Sequence, residues 1–266
     1  MSSTIVTDGR PAERRDECRI RIAAAGDIHY GERADDRERA AAAFGGLAGR
    51  VDVILLAGDL TTHGEPEQAQ IVADAVRDVG VPVLTVLGNH DWHVNRRDEL
   101  VEVLRDAGIV VLDPGSVVLE LAGREVGVVG AKGFVGGFPG CHMPDFGEPS
   151  LRAVYAEAGR EVEALDRGLC EVATCPVRIV LLHYAPVTDT IVGERPEIWA
   201  FLGTDRLAAP IVAHEPHLVL HGHAHAGTFG ARLGEVPVFN VSVPVMGRDF
   251  GVFELAGASA ATAAVH

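Results

Sequence analysis

An α/β fold with buried, partly parallel strands is predicted by two features of the sequence and the change between them. From Arg19 to Ala107, short apolar runs alternate with amphipathic stretches, as in βαβ units whose helices cover a sheet. Beyond Ile109 the apolar runs crowd together, separated by Asp113-Pro114-Gly115 and Ala122-Gly123-Arg124. Those are turn signals, and they predict an antiparallel meander.

Taken in order, Arg19–Ala25 reads as a strand, Asp36–Leu47 as an Ala-rich helix and Val51–Ala57 as a strand. Glu65–Val79 is a helix with Pro and Glu in its first turn, where both are favoured. Val83–Leu87 is a strand and Arg96–Ala107 a helix. The meander comprises Ile109–Leu112, Val117–Leu121 and Val126–Gly130. A Gly- and Pro-rich stretch over 133–149 is too long and irregular for a simple connector and is expected to be a lid or substrate loop. Ser150–Leu169 reads as a helix, Val177–Leu182 as a strand, and Leu218–Leu255 as several short strands broken by glycines. With no internal repeat or low-complexity linker, a single domain over 18–256 is expected, between a flexible arm over 1–17 and a small-residue tail over 257–266.

Composition excludes several classes. With 47% hydrophobic and 23% charged residues, the chain can bury a large core and is not globally disordered. Its formal net charge of −15 makes it a poor partner for a nucleic-acid polymer or an anionic membrane. It could hold an anion only with concentrated positive charge, such as metal ions. No apolar run reaches membrane-spanning length, and Met1–Cys18 has no apolar core of a secretory signal. Cys18, Cys141, Cys170 and Cys175 lack zinc-type CxxC pairing. Reduced thiols in a cytoplasmic protein are therefore expected.

Five polar clusters each follow an apolar strand. They are Gly26-Asp27-Ile28-His29, Gly58-Asp59, Gly88-Asn89-His90-Asp91, His183, and His221-Gly222-His223-Ala224-His225. Ligands of open α/β folds gather outside the carboxyl ends of strands, so five strands can deliver these side chains to one rim. On an extended tip alternate residues point the same way, which lets Asp27 share a target with His29, and His223 with His225. The inventory Asp, His, Asp, Asn, His, His, His is an oxygen and nitrogen set without thiolate. It suits Mn, Fe, Zn, Ni or Co better than Ca. Seven ligands are too many for one tetrahedral ion and suit two ions sharing a carboxylate, an arrangement used to hydrolyse phosphate esters.

In this order the clusters resemble the calcineurin-like metallophosphoesterase superfamily, whose pattern runs D-x-H, G-D, G-N-H-D/E, H and G-H-x-H. Here it stands as Asp27-Ile28-His29, Gly58-Asp59, Gly88-Asn89-His90-Asp91, His183 and Gly222-His223-Ala224-His225. The resemblance spans most of the chain and implies a four-layer αββα sandwich. It implies that Asp27, His29 and His225 bind one divalent transition-metal ion, and that Asn89, His183 and His223 bind the other. Asp59 would bridge the two, with His90 beside the scissile phosphate. A hydroxide bridging the ions would attack phosphorus in line, and His90 would assist the leaving oxygen. Asp91 would orient a neighbouring group or simply begin a helix.

Departures from the pattern narrow the substrate. Protein Ser/Thr phosphatases of this superfamily carry G-D-x-x-D-R-G, whereas Gly58 to Gly64 has Thr62 and His63 at the Asp and Arg positions. The side chain that would pair with His90 is missing. Gly58-Asp59-Leu60 followed by Gly64-Glu65-Pro66 looks more like the bacterial small-molecule branch, including class III cyclic-nucleotide phosphodiesterases. The expected substrate is therefore a small phosphomonoester or phosphodiester. The alternatives are a nuclease or pyrophosphatase on the same metals, or a non-catalytic protein-binding scaffold. Lys132, His142 and Arg248 are further candidates for phosphate contact, against a reading as solvated surface. His63, His93 and His221 are candidates for supporting the ligands. Aromatics near the clusters are Tyr30, Trp92, Phe134, Phe138 and Tyr184.

Overall fold

The computed structural model describes residues 19–256 and 262–263. Two six-stranded sheets form among them. In the first, β1 (Arg19–Ala25), β2 (Val53–Ala57), β3 (Val83–Val86) and β4 (Val110–Val111) run parallel. The crossovers are α1 (Asp36–Gly45), α2 (Pro66–Val76) and α3 (Arg97–Asp106). The second sheet begins with a hairpin of β5 (Gly115–Leu121) and β6 (Arg124–Ala131). It continues through α4 (Pro149–Glu171) to β7 (Val177–Leu182), then through α5 (Trp199–Leu202) and α6 (Ala208–His214) to β8 (Leu218–His221). β9 (Gly230–Leu233) and β10 (Val236–Asn240) complete it, giving the spatial order β5-β6-β7-β8-β10-β9. After α7 (Val243–Met246) the chain returns to the first sheet. There β11 (Gly251–Ala256) lies antiparallel to β1, and β12 (Thr262–Ala263) antiparallel to β11.

Period-two alternation explains the layering. Ile20, Ile22, Ala24, Val53 and Leu55 of the first sheet face Val126, Val128, Val177, Ile179, Leu218 and Leu220 of the second. The opposite face of the first sheet, with Ala23, Ala25, Ile54 and Leu56, takes Phe44 of α1, Val72 of α2 and Leu104 of α3. The outer face of the second, with Val129, Val180 and Val219, takes Leu165 and Leu169 of α4 and Ile211 of α6. Both sheets are thus apolar on both faces, and the result is the four-layer αββα sandwich.

Most elements fall within a few residues of their expected bounds. Glu65 precedes α2 in extended conformation with Pro66 as first helical residue, so Glu65-Pro66 is accounted for by helix initiation. The expected three-strand meander is corrected. Val110 and Val111 pair in parallel with Leu84 and Thr85, because α3 has already brought the chain back alongside β3. The turn signal at Asp113-Pro114-Gly115 marks the passage from one sheet to the other, not a hairpin. The proposed arm over 1–17 lies outside the described residues, as does the tail over 257–266 except Thr262 and Ala263, which form β12. The stretch over 133–149 is irregular up to α4, and its first part is stitched to the 200–205 segment. Gly136 and Gly137 donate to the carbonyls of Ala200 and Gly203, and Asp205 donates to that of Gly137. Phe138 is fully buried there against Ala185, Ile191, Leu202 and Ala224. Among the described residues no helix is long and apolar enough to cross a membrane.

Candidate metal centre

The carboxyl ends of β1, β2, β3, β7 and β8 meet at one edge of the sandwich. The structure brings together all eight residues expected there. Asp27, Asp59, His183 and His223 offer ligand atoms within 4.8 Å of one another, as do Asp27, His29 and His225, and likewise His29, Asp59 and His90. Asn89 joins them through its Oδ1, 2.9 Å from His183 Nε2.

The tips are held in conformations that L-residues seldom adopt. Asp27, His29, Asp59 and His223 have φ of 57°, 45°, 50° and 71°. Left-handed backbone at non-glycine residues costs on the order of 1–3 kcal/mol each and gathers at functional sites. Two glycines make the crowding possible. A Cβ on Gly88 would lie 2.0 Å from Asp59 Oδ1, and one on Gly222 2.4 Å from Asp27 Oδ2.

Hydrogen bonds fix the orientation of several donors. Asp27 ties the two sheets together, accepting from the His223 backbone N–H at 2.8 Å and pairing with His225 Nε2 at 3.0 Å. His183 Nδ1 lies 2.9 Å from the Ala57 carbonyl and His223 Nε2 3.1 Å from that of Phe201. A carbonyl can only accept, so those nitrogens carry the protons. With the proton on Nδ1, the His183 Nε2 lone pair faces the oxygens of Asn89 at 2.9 Å and Asp59 at 3.5 Å, a meeting of acceptors that suits a cation, and His223 Nδ1 is likewise left for a metal. By the same reasoning His90 Nδ1 donates to the Thr62 carbonyl at 2.7 Å and leaves Nε2 for a ligand. The backbone of Thr62 thus supplies the partner whose side chain the sequence lacks.

Asp59 sits between the two halves of the cluster. Its Oδ1 lies 3.5 Å from His183 Nε2 and its Oδ2 3.7 Å from His29 Nε2. His29 Nε2 is buried with no hydrogen-bond partner. Both carboxylates are almost fully buried. Burial, with the charges of Asp27 and Asp91, pushes the Asp59 carboxyl well above the usual carboxylate range. Burial acts upward on Asp27 too. There the His225 hydrogen bond and the neighbouring imidazoles prevail, taking it down to about 2. Burial lowers His29 to about 4 and depresses His183 strongly. Burial also lowers His223, whereas the hydrogen bond to Asp27 raises His225. Imidazoles around crowded buried carboxylates form a donor set that divalent transition metals fit.

Asp91 is resolved in favour of orienting a neighbour. Fully buried, it accepts from the Thr61 hydroxyl at 2.8 Å and from the backbone N–H groups of Thr61 and Gly88 at 3.0 and 2.9 Å. It clamps the Asp59 tip to the Asn89 tip. Asp91→Ala is expected to destabilise the protein by ~3 kcal/mol or more in urea unfolding, because each buried donor left unpaired costs ~1–3 kcal/mol.

The other candidates divide. His221 is buried and bonded to Thr190 and the Gly222 carbonyl, so it supports the histidine-bearing tip. His63 and His93 form an exposed pair of rings near His90. His142 pairs with Asp205 at 2.8 Å, and Arg248 lines a hollow beside α1. Neither lines the cavity beside the cluster. Lys132 is not solvated surface: it is buried at the end of β6, with Nζ donating to the Gly133 carbonyl at 2.9 Å and lying 3.9 Å from Glu161. Glu161 was missed by sequence reasoning. Its signal is a carboxylate on the buried stripe of α4, between Ala158 and Leu165.

A cavity of about 420 Å³ opens beside the cluster. It is lined by Asn89, Trp92, Lys132, Phe134, Glu161 and Tyr184, with Arg97, Asp113, Pro114 and Glu157. The Tyr184 ring lies 5.3 Å from that of His183 and 4.5 Å from that of His223.

Comparison with known proteins agrees with this arrangement. The model of the calcineurin-like phosphoesterase family matches residues 20–227. The chain belongs to that family. A Synechococcus sp. protein named as a probable cyclic nucleotide phosphodiesterase is 27% identical over 190 residues, covering 70% of this chain and 63% of that protein. The match thus spans less than two thirds of that relative. Phosphopantetheinyl hydrolase of Mycobacterium tuberculosis superposes with a TM-score of 0.65 at 18% identity, over 86% of this chain and 91% of that one. GAP50, described as the anchor in the inner membrane complex of Plasmodium, superposes with a TM-score of 0.58 at 15% identity. That match covers 90% of this chain and 82% of that one. At such identities these two structures show the shared fold alone.

Proposed function

We propose that the protein hydrolyses small phosphomonoesters or phosphodiesters at a centre of two divalent transition-metal ions. Asp27, His29 and His225 hold one, and Asn89, His183 and His223 the other, with Asp59 between them. The observation that carries this reading is Asp59 itself, whose two oxygens face His183 and the unpartnered His29 Nε2 respectively. When bound, the ions supply water activation and stabilise charge on the phosphate oxygens. The chain's own residues do the rest. Asp27 and Asp91 lock the strand tips in place, and Asp59 accepts the backbone N–H of His90 at 2.8 Å. That bond and the Thr62 carbonyl aim His90 Nε2 at the leaving oxygen, which it protonates when the imidazole is charged. Metal-binding side chains and His90 are all in place, which favours an enzyme over a scaffold. The relative named as a phosphodiesterase supports the small-molecule reading over the nuclease one, as does the −15 net charge.

The test is hydrolysis of bis-p-nitrophenyl phosphate and p-nitrophenyl phosphate by ion-free protein refilled with Mn, Fe, Zn, Ni or Co. Metal-dependent turnover is expected. His90→Ala should lower it by about 10²–10⁴-fold on an ester with an alkyl leaving group. The loss should be smaller on p-nitrophenyl esters, whose leaving group needs little protonation. An equal loss on both would remove His90 from the leaving-group role. No turnover with any metal would overturn the reading.

A further inference from the structure

The cavity beside Asn89 carries chemistry that a dimetal centre does not require. Two cations and three carboxylates line it, and both cations are engaged. Arg97 donates to Asp113 at 2.7 and 3.1 Å and to Asp98 at 2.6 Å. Lys132 donates to the Gly133 carbonyl, lies 4.3 Å from the centre of the Phe134 ring and 5.4 Å from that of Tyr184, and faces Glu161. Glu161 Oε2 accepts the Gly133 N–H at 3.0 Å. Its Oε1 lies 3.9 Å from Lys132 Nζ, beyond hydrogen-bond reach, and so remains able to accept. A buried ion pair is costly to maintain, and apolar residues would fill such a place at least as well. Its position on the wall of a cavity that reaches a proposed metal ligand gives it a use.

We propose that this cavity seats the organic group of the substrate and selects an uncharged, hydrogen-bonding one with an apolar face, such as the nucleoside of a mononucleotide. An organic group carrying a second phosphate would be rejected. The proposal rests on the phosphoesterase reading above, which places the phosphate on the metals beside Asn89. The wall offers Lys132 as donor and Glu161 as acceptor among the rings of Trp92, Phe134 and Tyr184, the mixture that polar, apolar-faced ligands use. It offers no uncommitted cation, and its carboxylates exceed its cations by one. A second phosphate there would meet net negative charge beside the buried Lys132, Glu161 and Tyr184.

The experiment is calorimetric titration of Mn-loaded protein with AMP and with ADP, on wild type, Glu161→Gln and Lys132→Met. Melting temperatures serve to check folding. Wild type is expected to bind AMP at least tenfold more tightly than ADP. Glu161→Gln frees Lys132 from its carboxylate and should shrink that ratio at least tenfold. Lys132→Met leaves Glu161 unpaired; it should weaken AMP and leave ADP no better bound. Wild type that binds ADP as tightly as AMP, or a ratio unmoved in folded Glu161→Gln, would overturn the proposal. AMP and ADP are supplied as their non-hydrolysable phosphonate analogues, so binding is read without turnover and that failure is separate from failure of the phosphoesterase reading, which the p-nitrophenyl assay reports.

Discussion

Replacing Asp59 with asparagine is expected to abolish most metal-dependent turnover while leaving the ion-free protein more stable than wild type. Asparagine keeps the shape and the acceptor for the His90 N–H. It loses the charge that, in the proposed assignment, holds two ions. Groups that merely support a metal ligand cost about 10–100-fold when mutated, so a shared ligand should cost more than ~100-fold. The stability gain has a different origin. Without ions, a carboxylate at Asp59 is buried beside Asp27 and Asp91, and its raised pKa records the penalty. Removing that charge should return about 0.5–2 kcal/mol, the usual trade between an active site and its fold. Turnover and urea unfolding of the ion-free protein check both halves. Loss of stability together with turnover would make Asp59 a structural residue.

Stripping the metals should produce the second large effect. An ion present at about 100 times its dissociation constant stabilises the native state by ~2.7 kcal/mol, so two sites give ~5 kcal/mol. Each kcal/mol moves the melting point of a domain of this size by about 2–4 °C. A chelator should therefore lower the melting temperature by roughly 10–20 °C. Refilling with Mn, Zn or Co should restore it, and Asp59→Asn should respond much less. A melting point indifferent to chelator would mean that the cluster holds no ions.

The parts of the site legible in sequence share one property: each lies at the end of an apolar strand, where a short polar cluster has few local explanations. Asp27, His29, Asn89 and the His223/His225 pair all announce themselves this way. Asp91 does not, because an acid after Asn89-His90 equally suits a helix start, and only its contacts with Thr61 and Gly88 distinguish the two. Lys132 and Glu161 are 29 positions apart, and each alone looks like surface. Burial and a shared cavity join them. The same limit explains β4, since a parallel partner is chosen by the preceding crossover helix and not by the apolar pair Val110–Val111. No element is expected from the sequence between Leu182 and Leu218. The short turns there, with α5 and α6, are fixed by long-range bonds such as those to Gly136 and Gly137.

The division of ligands between the sheets has a consequence for when metal can be captured. Asp27, His29, Asp59 and Asn89 extend from the first sheet, and His183, His223 and His225 from the second. In the proposed assignment each ion draws on both. During synthesis, then, neither coordination sphere can close before residue 223 has emerged and the two sheets have docked. The nascent chain is spared trapping whichever cation it meets first, and the choice of metal is deferred until both sheets have formed.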